Sequence, residues 1–330
     1  MKRVGVLLLQ MGGPRSLEEV EPYIQTLFAD PNLVRLPAPI SWFRGPLSRL
    51  VAKRRAPEVR EQYAKIGGGS PNNDTTIAQA AALAEALRDD GDFRCYAAMA
   101  YTPPTILEAM QQGQEDGVTD WIALSMFPQF STASTGASFA DLEKACAEVG
   151  VASSSVTRIS RWGGREDYLD AIAAMTLATL EEAKAAHPMK PHLVLSAHGL
   201  PVSYVKSGDP YVEEVEESVA GLRARLPQDQ QTTLAYQSRA TPVKWVEPAT
   251  IDTLKRLGQE GEKNLVVLPL SFVNDHIETL FEIDMMLRDD AIAAGVEHYT
   301  RVPVFNVDAR LTAILRSLVL EEGGLPSKES

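Results

Sequence analysis

Cysteine is almost missing from this chain of 330 residues, which has only Cys95 and Cys146. With no C-x-x-C pair, a zinc ribbon and a four-thiolate iron–sulfur cluster are both excluded within it. Two scattered thiols fit a reducing compartment, and a cytoplasmic protein is expected. Long apolar runs are missing too: no stretch approaches the ~20 residues that a membrane-spanning helix needs. The opening Met1-Lys2-Arg3 and the short run Val4–Leu9 lead into Gly12-Gly13-Pro14 without a cleavage site, a poor secretion signal. Positive charge is in deficit, with 32 Lys and Arg against 44 Asp and Glu and a net charge of -12. Such a chain repels phosphate backbones, so nucleic acid is not an expected partner. Several motifs are absent as well. Gly67-Gly68-Gly69-Ser70-Pro71 lacks the ending of a phosphate loop, and Gly12-Gly13-Pro14 is not G-x-G-x-x-G. Ser196 and His198 lack a G-x-S-x-G elbow, and no H-E-x-x-H occurs.

What the chain does have is apolar content, 45% of its residues, and a length that suits about two domains. Val4–Leu9, Phe93–Tyr101, Trp121–Met126, Val156–Ile159, His192–Leu195, Thr232–Tyr236 and Asn264–Leu268 read as buried strands. Helical spacing separates them, most cleanly at Val212, Val215, Val219, Leu222 and Leu226. This alternation implies an α/β fold with parallel sheets flanked by helices. The halves read as weak copies: Val6–Pro14 parallels Leu193–Pro201, and Ile122–Pro128 parallels Val266–Phe272. Two similar domains facing across a cleft are therefore expected, residues 1–150 and 151–305, with the seam near Gly150–Ser155. The parallel sets Met11 where His198 stands in the other half. Residues 33–53 break the alternation with Pro37, Pro39, Pro46, Trp42, Phe43 and Leu47. A long structureless loop is usually functional. Its aromatics suit a flat apolar ligand or a membrane surface, or else pack on one another. Gly323–Ser330 reads as a loose polar tail.

The chemistry-bearing residues cluster at strand ends. The apolar run Leu193–Ala197 ends in His198, with Gly199 and Pro201 stopping the strand. That places an imidazole at the carboxyl edge of a sheet, where open α/β folds bind ligands. Its ordinary pKa makes it a general base near pH 7. Asp275-His276-Ile277-Glu278 has the form of a helix capping box. That form leaves His276 and Glu282 unexplained. On an α-helix, Asp275, Glu278 and Glu282 fall on one face, and such a stripe needs water, protons or a cation opposite it. Arg239 can pair with a carboxylate and Trp245 can stack on an aromatic ligand, which together suit a planar anion. Gly67–Pro71 reads either as a close backbone approach to a flat ligand or as a plain turn.

These blocks, in this order, resemble the ferrochelatases, which insert ferrous iron into a porphyrin to make haem. Leu195-Ser196-Ala197-His198-Gly199-Leu200-Pro201 with Gly208-Asp209-Pro210-Tyr211 is similar to the family signature. So are Tyr236-Gln237-Ser238-Arg239 with Trp245, and Asp275-His276-Ile277-Glu278-Thr279-Leu280. Gln62–Pro71 and Pro128-Gln129-Phe130-Ser131 carry the likeness into the first half. The resemblance implies two Rossmann-like, chelatase-like domains, with the C-terminal helix and tail (306–330) packing back on the first. It implies His198 and Glu278 as the catalytic, metal-meeting pair, and Asp275, His276 and Glu282 as a proton or iron relay. It places Met11, Arg55, Tyr63, Ser70, Gln129, Ser131, Ser238, Arg239 and Trp245 at the porphyrin. Met11 resembles protoporphyrin-using members, whereas coproporphyrin users tend to carry tyrosine there. Three departures stand out: Ala100 replaces the usual arginine, Asn274 a serine, and Phe127 and Phe130 tyrosines.

The expected activity is insertion of Fe2+ into protoporphyrin IX, with iron as substrate, no required cofactor and no iron–sulfur cluster. Trp245, Met11 and the 33–53 lip would grip and bend the ring, exposing nitrogen lone pairs. His198 would take pyrrole protons, and Arg55 and Arg239 would meet the propionates. The resemblance also implies transient contact with the oxidase preceding it in the haem pathway, and peripheral membrane contact through the lip. Three alternatives stay open: a coproporphyrin III ferrochelatase, a porphyrin or haem carrier without turnover, and a cobalt chelatase acting on sirohydrochlorin.

Overall fold

Each half of the chain builds one four-stranded parallel sheet. The structure, a computed structural model, describes residues 2–35, 38–239 and 243–322. In the first sheet, β1 (Arg3–Gln10), β2 (Asp92–Met99), β3 (Asp120–Ser125) and β4 (Val156–Ile159) lie in the order β2-β1-β3-β4. In the second, β5 (His192–His198), β6 (Thr232–Gln237), β7 (Asn264–Pro269) and β8 (His298–Arg301) lie in the order β6-β5-β7-β8. The duplication read in the sequence is therefore a duplication of topology, with β1 and β5 in equivalent places. Among the described residues these strands pair only in parallel. Strands covered by helices on both faces need continuous apolar runs. Val6–Leu9, Leu193–Leu195 and Leu265–Val267 supply them and are fully buried. One core around these strands holds Leu7, Ile106, Met110, Trp121 and Leu142, and another holds Val194, Leu254, Leu265, Val267 and Ile283.

The seam falls at Arg161/Trp162 rather than near Gly150–Ser155. The reason is β4, whose Val156 and Ile159 pair with Trp121 and Leu124 of β3 and so close the first sheet. From Phe305 the chain rejoins the first unit. Helix Ala309–Glu322 buries Leu311, Ile314, Leu315, Leu318 and Val319 there. Its Arg316 grips Asp90 with two hydrogen bonds of 2.8 and 2.7 Å.

The segment 33–53 is not structureless. After a short 3-10 turn at Ile40–Phe43, a long helix runs over Arg44–Lys65. Pro46 sits in its first turn, where a missing N–H breaks no helical bond. Arg44 ties this entry down by donating to the Val34 carbonyl at 2.7 Å. Trp42, Phe43 and Leu50 remain 81%, 64% and 65% exposed, so the lip does not pack its own aromatics. Pro37, and the tail at Gly323–Ser330, lie outside the described residues.

Candidate active site

His198 is the last residue of β5, and its position depends on glycine. The Gly199 N–H donates to the Gln237 carbonyl at 2.7 Å. A Cβ at Gly199 would lie 2.5 Å from that same oxygen. The ends of β5 and β6 approach this closely only because residue 199 has no side chain. The His198 Nδ1 lies 2.6 Å from the Gly199 carbonyl oxygen. A carbonyl can only accept, so Nδ1 carries a proton and Nε2 is left for other partners. Nε2 faces Glu278 Oε1 at 3.4 Å. The Phe272 ring stands edge-on to His198 (6.2 Å) and to His276 (4.5 Å), walling both imidazoles.

Glu278 opens a π-helix, Glu278–Leu287. Wide helical turns of this kind are rare and frequent at functional sites. The capping box expected from sequence is not formed. The N-cap residue Ile277 offers no side-chain cap, and the Glu278 N–H donates instead to the His276 imidazole Nδ1 at 3.1 Å. Asp275 also leaves the expected carboxylate stripe. Its Oδ1 accepts from the Thr279 hydroxyl at 2.8 Å and lies 3.2 Å from Arg301 Nη2. Glu282 does stay beside Glu278, where Ser238 takes hold of it. Ser238 follows β6 with a positive φ of 65°, unusual for a non-glycine residue. That backbone aims two donors at one carboxylate, N–H to Oε1 at 2.8 Å and Oγ to Oε2 at 2.5 Å. Gln237 completes the brace, donating to the Glu278 carbonyl at 3.2 Å and accepting from Ser196 at 2.8 Å.

The charges sort themselves by environment. Burial opposes the His198 cation, but the charge and hydrogen bond of Glu278, with the charge of Glu282, override it and raise its pKa to about 9. Burial likewise opposes the Glu278 anion, yet His198 pulls it down to about 2. Glu282 feels the same imidazole charge less strongly. Burial and the Glu278 charge push it up to about 7, against the two Ser238 donors. Burial lowers His276, leaving it neutral and able to accept from the Glu278 N–H. At neutral pH the site is thus a His198–Glu278 ion pair beside one half-protonated carboxyl. His198 is not the free base that its ordinary pKa implies. Among the described residues, no group of three or more His, Cys, Asp or Glu is arranged to hold a metal ion.

The other expected site residues are placed as follows. Trp245 is buried, its ring beside Gly199. Arg239 is exposed, 3.8 Å from Asp252 and 4.0 Å from Glu247. In the first unit, Met11 directly follows β1 and is half-buried. Arg55 lies over the Phe28 ring at 5.7 Å. Tyr63, Ser70, Gln129 and Ser131 are all buried. The close approach at Gly67–Pro71 is to the chain itself: a Cβ on Gly69 would lie 2.4 Å from the Arg15 carbonyl oxygen. Arg301, on β8, is a residue that the sequence reading missed, because β8 has no apolar run to mark it.

The family model described as Ferrochelatase matches residues 3–323. The chain is 41% identical over 331 residues to the chloroplastic ferrochelatase-2 of Cucumis sativus, covering 98% of this chain and 64% of that protein. It therefore spans a little under two thirds of that relative's length. It is 41% identical over 324 residues to the ferrochelatase of a Picosynechococcus species (97% and 83% covered). With that of a Nostoc species it shares 42% over 330 residues (99% and 84%). Two solved structures share the fold. SirB from Bacillus subtilis with Fe3+ gives a TM-score of 0.55 at 11% identity, covering 98% of each chain. CbiX, the terminal enzyme for biosynthesis of siroheme in denitrifying bacteria, gives 0.52 at 15%, covering 98% of this chain and 100% of that one.

Proposed function

The chain belongs to the ferrochelatase family, and from that premise we propose that it inserts ferrous iron into protoporphyrin IX, giving protohaem at the final step of haem biosynthesis. The observation that carries this reading is His198 Nε2 set 3.4 Å from Glu278, with Glu282 held alongside by Ser238. Insertion forms four iron–nitrogen bonds and releases two pyrrole protons, so the site must accept protons while a dication approaches. His198 holds its own proton because Glu278 is negative. A ferrous ion beside Glu278 cancels that charge, so the arrival of iron frees the imidazole to act as base. Glu282, titrating near neutrality, then carries protons away. Iron is a substrate in this scheme and needs few, weak ligands.

Within the second unit, Trp245 would press on the ring by apolar contact and Arg239 would meet a propionate. Ser238, already engaged with Glu282, would act mainly through that carboxylate. The test mixes protein, ferrous iron and either protoporphyrin IX or coproporphyrin III without oxygen, and follows the Soret band. The wild type should convert protoporphyrin faster, and His198→Ala should lose at least ~100-fold in turnover. Absence of metallation by the wild type, or near-normal turnover in His198→Ala, would refute the proposal.

The same reading makes the protein cytoplasmic and peripheral to a membrane, in transient contact with the oxidase that supplies its porphyrin. No helix among the described residues is long and apolar enough to cross a membrane. Trp42 and Phe43 would enter a lipid surface, with the exposed Arg49, Lys53 and Arg54 beside its headgroups. Replacing both aromatics by serine should abolish co-sedimentation with anionic vesicles; unchanged binding would remove the lipid contact.

A further inference from the structure

We propose that Arg301 is a positioning residue for the metallation carboxylates, clamping the π-helix on both sides of Glu278 and Glu282. The inference rests on the reading given above. Arg301 ends β8, the edge strand of the second sheet. Its Nε donates to Asp284 Oδ1 at 2.7 Å, and its Nη2 lies 3.2 Å from Asp275 Oδ1. Asp275 precedes the helix and Asp284 lies within it, so one rigid guanidinium spans the stretch that carries both glutamates. Asp275 relays the hold. It accepts from the Thr279 hydroxyl at 2.8 Å, and that oxygen accepts from the His276 N–H at 3.0 Å. Arg301 thereby fixes where the helix begins and which way Glu278 leaves it.

Fold stability alone does not account for an arginine here. Its side chain is only 13% exposed, and burial opposes its charge, although Asp284 and Asp275 more than offset that and raise its pKa. Its Nη1 is buried without a hydrogen-bond partner. A buried cation with an unmatched donor is a poor stabiliser beside a well-packed apolar side chain. What an apolar side chain cannot do is hold two carboxylates at a fixed spacing. β8 provides a second tie, the Tyr299 hydroxyl donating to the Ile283 carbonyl at 3.0 Å, which touches no carboxylate.

That contrast defines the experiment. Arg301→Met, Arg301→Lys, Tyr299→Phe and Asp284→Asn are assayed for metallation at saturating iron and porphyrin, with thermal melts on each. Arg301→Met should lose at least about tenfold in kcat while the KM for porphyrin stays within about twofold, because small displacements of reacting groups are costly. Arg301→Lys, whose ammonium reaches one carboxylate, should recover more than half of that loss on a logarithmic scale. Tyr299→Phe should keep kcat within about twofold even where its melting temperature falls as far. A smaller loss in Arg301→Met, no recovery in Arg301→Lys, or a loss in Tyr299→Phe equal to that in Arg301→Met would overturn the inference. If Arg301→Met fails to fold, Asp284→Asn decides: a kcat loss above about threefold supports the clamp and a smaller one refutes it. A wild type without metallation would instead sink the functional reading itself.

Discussion

Replacing Glu282 with glutamine should make the protein less active but more stable in alkaline solution. The carboxyl is pushed from an ordinary 4.5 to about 7 by burial and by the Glu278 charge. A folded pKa above the unfolded one means that the native state holds the proton more tightly. The stability contributed by that proton is complete below about pH 4.5, falls as pH rises, and is gone above about pH 7. At ~1.4 kcal/mol per unit, the ionised carboxyl costs about 3 kcal/mol by pH 8.5. About 2 kcal/mol of this builds up between pH 5.5 and 8.5. Glutamine carries no charge at either pH. It keeps one acceptor for Ser238 and loses the other, a pH-independent change of ~1 kcal/mol. The pH-dependent part is therefore the signature. Urea unfolding of both proteins at pH 5.5 and 8.5 measures it, and the balance should move toward the variant by about 2 kcal/mol at the higher pH. An equal difference at both values would refute the buried-charge argument. Turnover of the same samples should fall at least ~10-fold, as expected when a proton carrier is lost.

Ser238→Ala removes the 2.5 Å donor that stabilises the Glu282 anion. In the proposed role Glu282 must be ionised to take protons, so the acid limb of the kcat–pH profile should move to higher pH by about half to one unit. An unmoved limb would dissociate Ser238 from proton transfer. Gly199→Ala forces a Cβ against the Gln237 carbonyl, which belongs to the backbone and cannot swing aside. Chemical denaturation should show a loss of ~2 kcal/mol or more, and a variant within ~0.5 kcal/mol of the wild type would contradict the described strand-end geometry.

Elements buried on both faces could be read from sequence because burial demands an uninterrupted apolar run. β1, β3, β5 and β7 have such runs, and their ends fall within a few residues of expectation. β8 has none. His298, Tyr299, Thr300 and Arg301 are each half-buried, so neither alternation nor hydrophobicity marks the strand. His198 could be found because it closes an apolar run. The division of labour between Glu278, Asp275 and Glu282 could not. It depends on a π-helix whose residues have ordinary α-helical spacing in the sequence, and on Arg301, which arrives from a distant strand. The lip misled for a different reason. Its prolines read as breakers, but Pro46 lies where a helix tolerates proline and Pro57 is accommodated inside the same helix. The imidazole's protonation was also out of reach, since it is set by a carboxylate eighty positions along the chain.

The return of helix Ala309–Glu322 to the first unit has a consequence for biogenesis. A ribosome delivers the β5–β8 sheet whole before it delivers the five apolar side chains that complete the earlier one. The half made first is thus finished last. A nascent chain that has not yet released this helix carries an exposed apolar strip on its oldest part.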